Sequence, residues 1–275
     1  MQQFVLYIWH LKNLTDMKYN RILFSTLMTA LMVAVLCSCG KHKKVIPVTE
    51  IGIKPSPIDL CVGQSEKVTV TTSPVDATNV GELTITTTKP EVATYSEGKV
   101  TAVSVGSTTL TALCGTARKD VRVTVYQSMK KNNVAYPIKK ASGYRMYMGT
   151  STVDYYDIDF TDGTEHIRIM LSAAMLGKTI DVSKPVTDLP DGGTCNITVC
   201  RNQNENFYSL WMGKYGDPYI VDNLWNFITA TPSGTLYLNT STKGFKAVIN
   251  VSLSNGQKWE LEYEGSVSLK DEGKA

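Results

Sequence analysis

The hydrophobic positions from Val45 onward predict strands and almost no helix. Short β-branched runs recur about every ten residues, separated by Gly, Pro, Asp and Asn, and no useful 3.6-residue periodicity is present. Up to residue 126, the candidate strands are 68–72, 83–88, 99–104, 107–112 and 121–126. This spacing is typical of an all-β sandwich. Ser96-Glu97-Gly98 predicts a three-residue hairpin loop, with Gly98 at positive φ.

Residues 127–275 contain a second set of alternating apolar positions, which predicts antiparallel hairpins. One hairpin is expected around an Asp-Gly turn at 162–163, and a second around a three-residue loop that ends in a left-handed Gly256. The expected cross-strand pairs are Ile158 with Ile167, Tyr156 with Ile169, Val251 with Trp259, and Ile249 with Leu261. We therefore expect a second antiparallel domain, a β-sandwich or an open barrel. Residues 127–133 are a polar linker candidate, and residues 171–177 are the one short helix candidate.

The N-terminal segment has the pattern of a secretory signal. Lys18 and Arg21 precede an apolar run of 15 residues at positions 22–36, shorter than the roughly 20 residues of a membrane-spanning helix. The run ends in Leu36-Cys37-Ser38-Cys39-Gly40, which resembles the lipobox of bacterial lipoproteins. The resemblance implies a signal peptide over residues 1–38, with Met17 as the true start, and lipidation of Cys39 by acyl chains such as palmitate. A lipidated tether over residues 39–46 would then attach the protein to the outer membrane or cell surface.

Residues 47–126 resemble the bacterial immunoglobulin-like group 2 domain. The matching text comes in family order: Leu60-x-Val62-Gly63, Ser73-Pro74-Val75-Asp76-Ala77-Thr78, Pro90-Glu91-Val92-Ala93-Thr94, Gly98-x-Val100-Thr101-Ala102-Val103, Gly106-x-x-x-Leu110-Thr111-Ala112 and Val121-x-Val123-Thr124-Val125. Ile85 departs from the family, which often has a core Trp at that position. The resemblance implies an immunoglobulin-like β-sandwich. In this family the domain occurs in adhesins and surface proteins, in many cases as a spacer, and is not known as a catalytic module.

Composition and cysteine content narrow the classes of protein further. A hydrophobic fraction of 43%, a charged fraction of 19% and a net charge of +3 exclude a disordered or collagenous chain, and give no argument for nucleic acid. Once the signal is removed and Cys39 is lipidated, four cysteines remain in an oxidising compartment, which allows three disulfide pairings. Proximity in the sequence favours Cys61 with Cys114 and Cys195 with Cys200. The second pairing requires a turn between its cysteines.

The candidates for catalysis or metal binding are weak. Asp157, Asp159 and Asp162-Gly163 approach a calcium-loop pattern, but the third acid comes one residue late and the hairpin already explains the Asp-Gly turn. His166 is the only histidine in the two folded regions, and no nucleophile motif accompanies it. A zinc site would need closer cysteine pairs. We therefore expect no metal, no cofactor and no enzymatic activity.

The segment from Phe207 to Phe227 is the most suggestive stretch of the chain, with seven aromatic residues among 21. Sugar rings stack their C–H faces on aromatic planes while neighbouring polar groups bind the hydroxyls, and Asn and Asp are frequent here. The candidate ligand-binding residues are Tyr208, Trp211, Tyr215 and Tyr219. The alternative is that Phe207, Trp225 and Phe227 belong to the core and that the tyrosines line a long loop.

These observations predict a non-catalytic cell-surface lipoprotein for adhesion or ligand binding, in which the immunoglobulin-like domain is a spacer that presents the C-terminal β domain. The expected partners are the membrane, through the lipid, and a glycan or a host or surface protein, with no nucleic acid. One alternative is a glycan-binding accessory protein of a polysaccharide-uptake system. A hydrolase in residues 127–275 is disfavoured by the missing nucleophile motif.

Overall fold

The structure is a computed structural model that describes residues 44–148, 152–202 and 205–274. The predicted signal peptide and Cys39 lie outside the described residues. Residues 47–275 form one compact unit. The helices in the described part are two 3₁₀ turns, Val80–Glu82 and Ala173–Met175, and the second lies within the predicted helix candidate at 171–177. A helix long and apolar enough to cross a membrane is absent from the described residues.

Nine strands occupy the described chain up to residue 126. They are β1 (Glu50–Lys54), β2 (Ile58–Cys61), β3 (Ser65–Lys67), β4 (Thr69–Ser73), β5 (Thr84–Thr87), β6 (Ala93–Ser96), β7 (Lys99–Ala102), β8 (Gly106–Cys114) and β9 (Ala117–Tyr126). They pair as β1-β4, β3-β7-β6 and β2-β9-β8-β5. The β2–β9 pair is parallel, whereas the other pairs are antiparallel.

Alternation along β8 and β9 builds the core of this region. Leu110 pairs with Val121, and both side chains are buried. Thr111 and Asp120, one position further along, face outward and join through a 2.7 Å hydrogen bond from the Thr111 hydroxyl. Because apolar residues occupy alternate positions, burial of one face fixes the strand register.

The β6–β7 turn is shorter than predicted. Ser96 pairs with Lys99, which leaves a two-residue loop instead of three. Glu97 and Gly98 both have positive φ, at 51° and 75°. Two left-handed residues are the signature of a type I′ turn, whose twist matches that of the flanking strands. The positive φ predicted for Gly98 is confirmed.

The remaining described residues form fourteen strands in two sheets. The strands are β10 (Ser128–Lys131), β11 (Val134–Pro137), β12 (Lys140–Met146), β13 (Tyr155–Thr161), β14 (Glu165–Ser172), β15 (Thr179–Asp181), β16 (Cys195–Arg201), β17 (Glu205–Trp211), β18 (Tyr219–Val221), β19 (Phe227–Ile228), β20 (Pro232–Ser241), β21 (Gly244–Leu253), β22 (Lys258–Gly265) and β23 (Ser268–Glu272). One sheet has the order β19-β18-β17-β16-β14-β13-β12-β23 and the other β11-β10-β22-β21-β20-β15. Only β12 and β23 pair in parallel among these described strands.

The two sheets face each other across one hydrophobic core, so this region is a β-sandwich. Ring contacts join the layers: Phe160 of the eight-stranded sheet lies 5.0 Å, centroid to centroid, from Tyr263 of the six-stranded sheet. The ring centroids of Tyr208 and Trp259, which also belong to opposite sheets, are 6.5 Å apart. The described residues are therefore almost entirely β, as the sequence predicts, and a sandwich is observed where a sandwich or an open barrel was expected.

One of the two predicted hairpin registers is correct. Val251 pairs with Trp259, as predicted, around a loop in which Gly256 has a φ of 91°. The β13–β14 register is shifted by two residues, so that Ile158 pairs with Ile169. The physical reason is the longer turn that Asp162 stabilises, since its Oδ1 accepts hydrogen bonds of 2.8 Å from the backbone amides of residues 164 and 165.

The expected linker at 127–133 is wrong, because residues 128–131 form β10 within the six-stranded sheet. Only Gln127 separates β9 from β10. Its side-chain Nε2 donates to the Glu264 carbonyl at 3.0 Å, and its Oε1 accepts from the Glu264 amide at 2.6 Å. An ion pair of 2.8 Å between Lys139 and Asp59 adds a second contact across the same junction. The Gln127 hydrogen bonds and the ion pair between Lys139 and Asp59 therefore both stabilise this junction.

Candidate functional site

A row of side chains crosses three strands on the outer face of the eight-stranded sheet. Asn196 of β16 pairs with Trp211 of β17, and Trp211 pairs with Tyr219 of β18. Leu210 is fully buried in the core. Because successive side chains of a strand point to opposite faces, Trp211 must point away from that core.

The turn between β18 and β19 places another tryptophan beside this row. Asp222 Oδ1 accepts hydrogen bonds from the backbone amides of Leu224 at 2.8 Å and Asn226 at 2.9 Å, and Oδ2 accepts from Asn226 Nδ2 at 2.8 Å. These bonds hold the pKa of Asp222 below its ordinary value, and the bond from the Asn226 side chain has the largest effect. The turn therefore keeps this support at neutral pH and loses it as the pH falls through the lowered pKa.

Trp225 occupies that turn in a strained conformation. Its φ is 61°, in the left-handed region, which costs a residue with a side chain roughly 1–2 kcal/mol. The hydrogen bonds around Asp222 impose this geometry, and they leave the Trp225 ring 66% exposed. Strain that displays a large apolar side chain to solvent indicates a role other than packing.

The rings of this region form one aromatic cluster, which we define as Trp211, Tyr219, Trp225 and Phe227. The centroids of Trp211 and Trp225 are 5.9 Å apart with an interplanar angle of 38°, and those of Tyr219 and Phe227 are 5.5 Å apart at 57°. Tyr219 is 41% and Phe227 76% exposed. Trp211 and Tyr219 are cross-strand neighbours, so the two ring pairs are adjacent.

The structure brings together two of the four predicted ligand-binding residues. Trp211 and Tyr219 lie in the aromatic cluster, whereas Tyr208 faces the core and contacts Trp259. Tyr215 is 81% exposed in the loop between β17 and β18, and its hydroxyl donates to Asp191 Oδ1 at 3.2 Å.

Sequence reasoning missed Trp225 and Phe227 as site residues. The alternative interpretation placed both in the core, and the structure corrects this because both rings are largely exposed. The signal that would have exposed the error is the spacing of the turn, in which Asp222 precedes Asn226 by four residues and encloses Trp225.

Tyr215 borders an open cavity of about 400 Å³ beside the loop that connects β17 to β18. Lys214 Nζ lies 2.8 Å from Asp191 Oδ1 and 5.3 Å from the centroid of the Tyr215 ring. The hydrogen bond between Lys214 and Asp191 raises the pKa of the ammonium group and lowers the pKa of the carboxyl. The other lining residues are Leu189, Pro190, Gly192, Gly193 and Gly213. This second feature is built from loops and contains an ion pair, unlike the aromatic cluster.

The acidic residues that approach a calcium pattern have protein partners. Asp157 is bound by the Arg168 guanidinium, whose pKa it raises. His166 Nδ1 lies 2.9 Å from Asp159 Oδ2. Within the described residues, no group of three or more His, Cys, Asp or Glu side chains is placed to hold a metal ion. Asp157 and Asp159 are therefore bound by neighbouring side chains, and Asp162 by backbone amides of its turn.

The same face contains a contact that resembles part of a nucleophile triad. His166 Nε2 lies 3.4 Å from Thr161 Oγ1, too long for a firm hydrogen bond. Thr161 is buried, and its Oγ1 accepts a 2.9 Å hydrogen bond from the Gly163 amide. A buried threonine of this kind stabilises the β13–β14 turn and is poorly placed to attack a substrate.

The predicted disulfide pairings are corrected: Cys61, Cys114, Cys195 and Cys200 form no disulfide bond, and all four are buried. Cys195 and Cys200 lie on the continuous strand β16, and an odd separation of five places them on opposite faces. Cys61 pairs with Tyr126 and Cys114 with Ala117, at the two ends of β9, which places them on the order of 30 Å apart along the strand. Burial raises the pKa of the Cys195 thiol to about 12.

Comparison with known proteins identifies the first region of the chain. Residues 47–125 match the model of the bacterial Ig-like domain (group 2). This segment is a bacterial Ig-like domain. The resemblance predicted from its sequence motifs is thereby confirmed. Among the curated proteins, none matches the chain.

Solved structures similar to this chain include parts of one S-layer protein. Domains 4 and 5 of the S-layer protein SbsC are 27% identical, with a TM-score of 0.26, over 30% of this chain and 54% of that chain. The match therefore spans about half the length of that structure. Domains 5–6 of SbsC are 17% identical, with a TM-score of 0.26, over 82% of this chain and 100% of theirs.

Proposed function

We propose that this protein is a non-catalytic binding protein of the bacterial cell surface, which attaches to its ligand through the aromatic cluster. The bacterial Ig-like domain at residues 47–125 is consistent with a non-enzymatic surface protein. The observation that carries the proposal is the exposure of Trp225 and Phe227 beside Trp211 and Tyr219. Contiguous exposed apolar side chains on a folded protein are typical of interaction sites.

The arrangement of the chain supports an anchored role with an outward-facing binding region. Cys39, in its lipobox-like context, would receive the lipid, and acyl chains in pairs or more give stable attachment. The Ig-like domain would act as the spacer, and the Gln127 contacts with Glu264 would make its connection to the C-terminal sandwich stiff. A stiff connection would hold the aromatic cluster in a fixed position relative to the Ig-like domain.

A second candidate, a glycan-binding accessory protein of a polysaccharide-uptake system, is favoured by the groups around the rings. Asn196 lies next to Trp211, and Asn226 is exposed in the turn that holds Trp225. Amide side chains can both donate and accept hydrogen bonds, as sugar hydroxyls do.

The test uses the full chain, produced in a Gram-negative bacterium. Intact cells that carry it should attach to surfaces coated with mucin, collagen, fibronectin or plant polysaccharide, and Trp225→Asn should reduce attachment to the coating that is recognised by about tenfold. The physical reason is the loss of one large aromatic anchor. Adherent cells are counted after washing, with surface protein measured by antibody.

Two control variants distinguish a loss of ligand binding from a loss of protein at the cell surface. Tyr237→Ala removes a half-buried tyrosine from the outer face of the six-stranded sheet and should leave attachment unchanged. Cys39→Ser should abolish palmitate labelling and release the chain from the membrane fraction. Undiminished attachment by Trp225→Asn cells with equal surface protein would refute the proposal.

A further inference from the structure

Trp211 and Phe227 give the aromatic cluster exposed surfaces that are mostly hydrocarbon. The indole Nε1 of Trp211 is buried and has no hydrogen-bond partner among the described residues, so this ring turns carbon outward. Phe227 has no polar atom, and Trp225 leans on Trp211. The row from Asn196 to Phe227 crosses three strand spacings, or roughly 14 Å. That length exceeds a single sugar ring and suits a chain of linked rings.

Next to these rings lies the side-chain amide of Asn196. Asn196 is 4% exposed and stands on the outer face between Met170 and Trp211. Its side chain makes no hydrogen bond to the described part of the protein, so its amide oxygen and nitrogen can still bind a ligand. An amide held beside stacking rings would bind and orient a hydroxyl of the ligand.

Two charged side chains beside the cluster, Asp222 and Arg168, already have partners within the protein, which argues for a neutral ligand. The Asp222 carboxylate accepts three hydrogen bonds within its own turn. Arg168, in the neighbouring row of the same face, is bound to Asp157. Nucleic-acid binding by stacking needs a positively charged groove beside the aromatic side chains, and between Met170 and Tyr219 this row contains none.

We propose that the aromatic cluster, together with Asn196, is a binding site for the pyranose rings of a neutral polysaccharide chain. Trp225 and Trp211 form one stacking surface, and Tyr219 and Phe227 form the next along the row. The Asn196 amide binds a hydroxyl of the sugar at the inner end. This inference rests on the proposed function, since it names the ligand class of the same surface.

The experiment is affinity electrophoresis of the purified full chain in gels that contain one probe each: xylan, galactomannan, dextran, starch or mixed-linkage β-glucan. The charged comparison probes are heparin and polygalacturonate. We expect retardation by at least one neutral probe, insensitive to salt, and a binding constant about tenfold weaker in Trp225→Asn. Asn tolerates positive φ, so this variant should keep its thermal midpoint while losing the ring.

Asn196→Ala should weaken binding of the same probe without altering the aromatic surface, and Tyr237→Ala should leave it unchanged. Retardation only by the charged probes, or equal retardation of wild type and Trp225→Asn, would overturn the inference. No retardation by any probe, with attachment of intact cells still dependent on Trp225, would overturn the sugar ligand and leave the surface-binding function standing. Failure of both measurements would reject both. A dimer in sedimentation that Trp225→Asn converts to monomer would assign the cluster to self-association and overturn the inference.

Discussion

Replacing Glu165 with alanine should lower the free energy of unfolding by about 3–5 kcal/mol. The Glu165 carboxylate binds the ammonium group of Lys131, and the two side chains are only 11% and 13% exposed. Lys131 belongs to β10 of the six-stranded sheet and Glu165 to β14 of the eight-stranded sheet. The ion pair therefore joins the two layers. Without the carboxylate, the buried ammonium keeps the Cys200 carbonyl, at 3.0 Å, but loses its counter-charge.

The measurement is urea unfolding of the full chain followed by circular dichroism, with wild type, Glu165→Ala and the double variant Lys131→Met with Glu165→Leu. Removal of both charges leaves no uncompensated buried ion, because Arg201, which lies 3.6 Å from Glu165, is half-exposed, so the double variant should recover most of the lost stability. A single variant as stable as wild type, or a double variant as unstable as the single one, would mean that solvent reaches this pair and that it does not hold the sheets together.

The hairpins show where sequence reasoning succeeds and where it stops. Val251 was correctly paired with Trp259 because the loop residues and the apolar alternation agree on one register. In the β13–β14 hairpin, the loop residues and the apolar alternation are compatible with two registers. A shift of two residues keeps every side chain on the same face, so the apolar pattern is equally satisfied. The side chain of Asp162 decides, by capping the backbone of a longer turn.

The cysteines show which features of the structure follow from the local sequence and which depend on the overall topology. That Cys195 and Cys200 lie on opposite faces follows from their odd spacing once residues 195–201 are recognised as one strand. The separation of Cys61 from Cys114 depends on the parallel pairing of β2 with β9. That pairing joins segments more than sixty residues apart, and no local pattern in the sequence specifies it.

The aromatic cluster could be predicted only in part, because the exposure of its rings also depends on the overall topology. Alternation along β17 sends Tyr208 inward and Trp211 outward, but sequence reasoning did not predict this strand and could not decide which face the opposing sheet covers. Trp225 and Phe227 follow in a tight turn and a two-residue edge strand. Phe227 is exposed because it lies on the outer face of the edge strand, which the second layer does not cover, and Trp225 is exposed because the turn projects it from that edge.

Replacing Trp259 with alanine should also lower the free energy of unfolding by about 3–5 kcal/mol. Trp259 is fully buried and pairs with Val251 and Lys131 on its two neighbouring strands. Its ring contacts Tyr208 across the core. Loss of the ring opens a cavity between the two sheets, which strands on both sides restrain from collapsing. The measurement is urea unfolding, as for Glu165.

Two other tryptophan substitutions serve as comparisons for Trp259→Ala. Trp259→Phe keeps most of the buried ring and removes an indole Nε1 that has no partner among the described residues, so it should cost far less than alanine. Trp225→Asn removes an exposed ring from a left-handed residue and should leave the unfolding midpoint nearly unchanged. On this proposal, Trp259 contributes to stability and Trp225 contributes to ligand binding. A large loss of stability in Trp225→Asn, equal to that in Trp259→Ala, would place Trp225 in a packing role and remove the argument that its strained display serves a ligand.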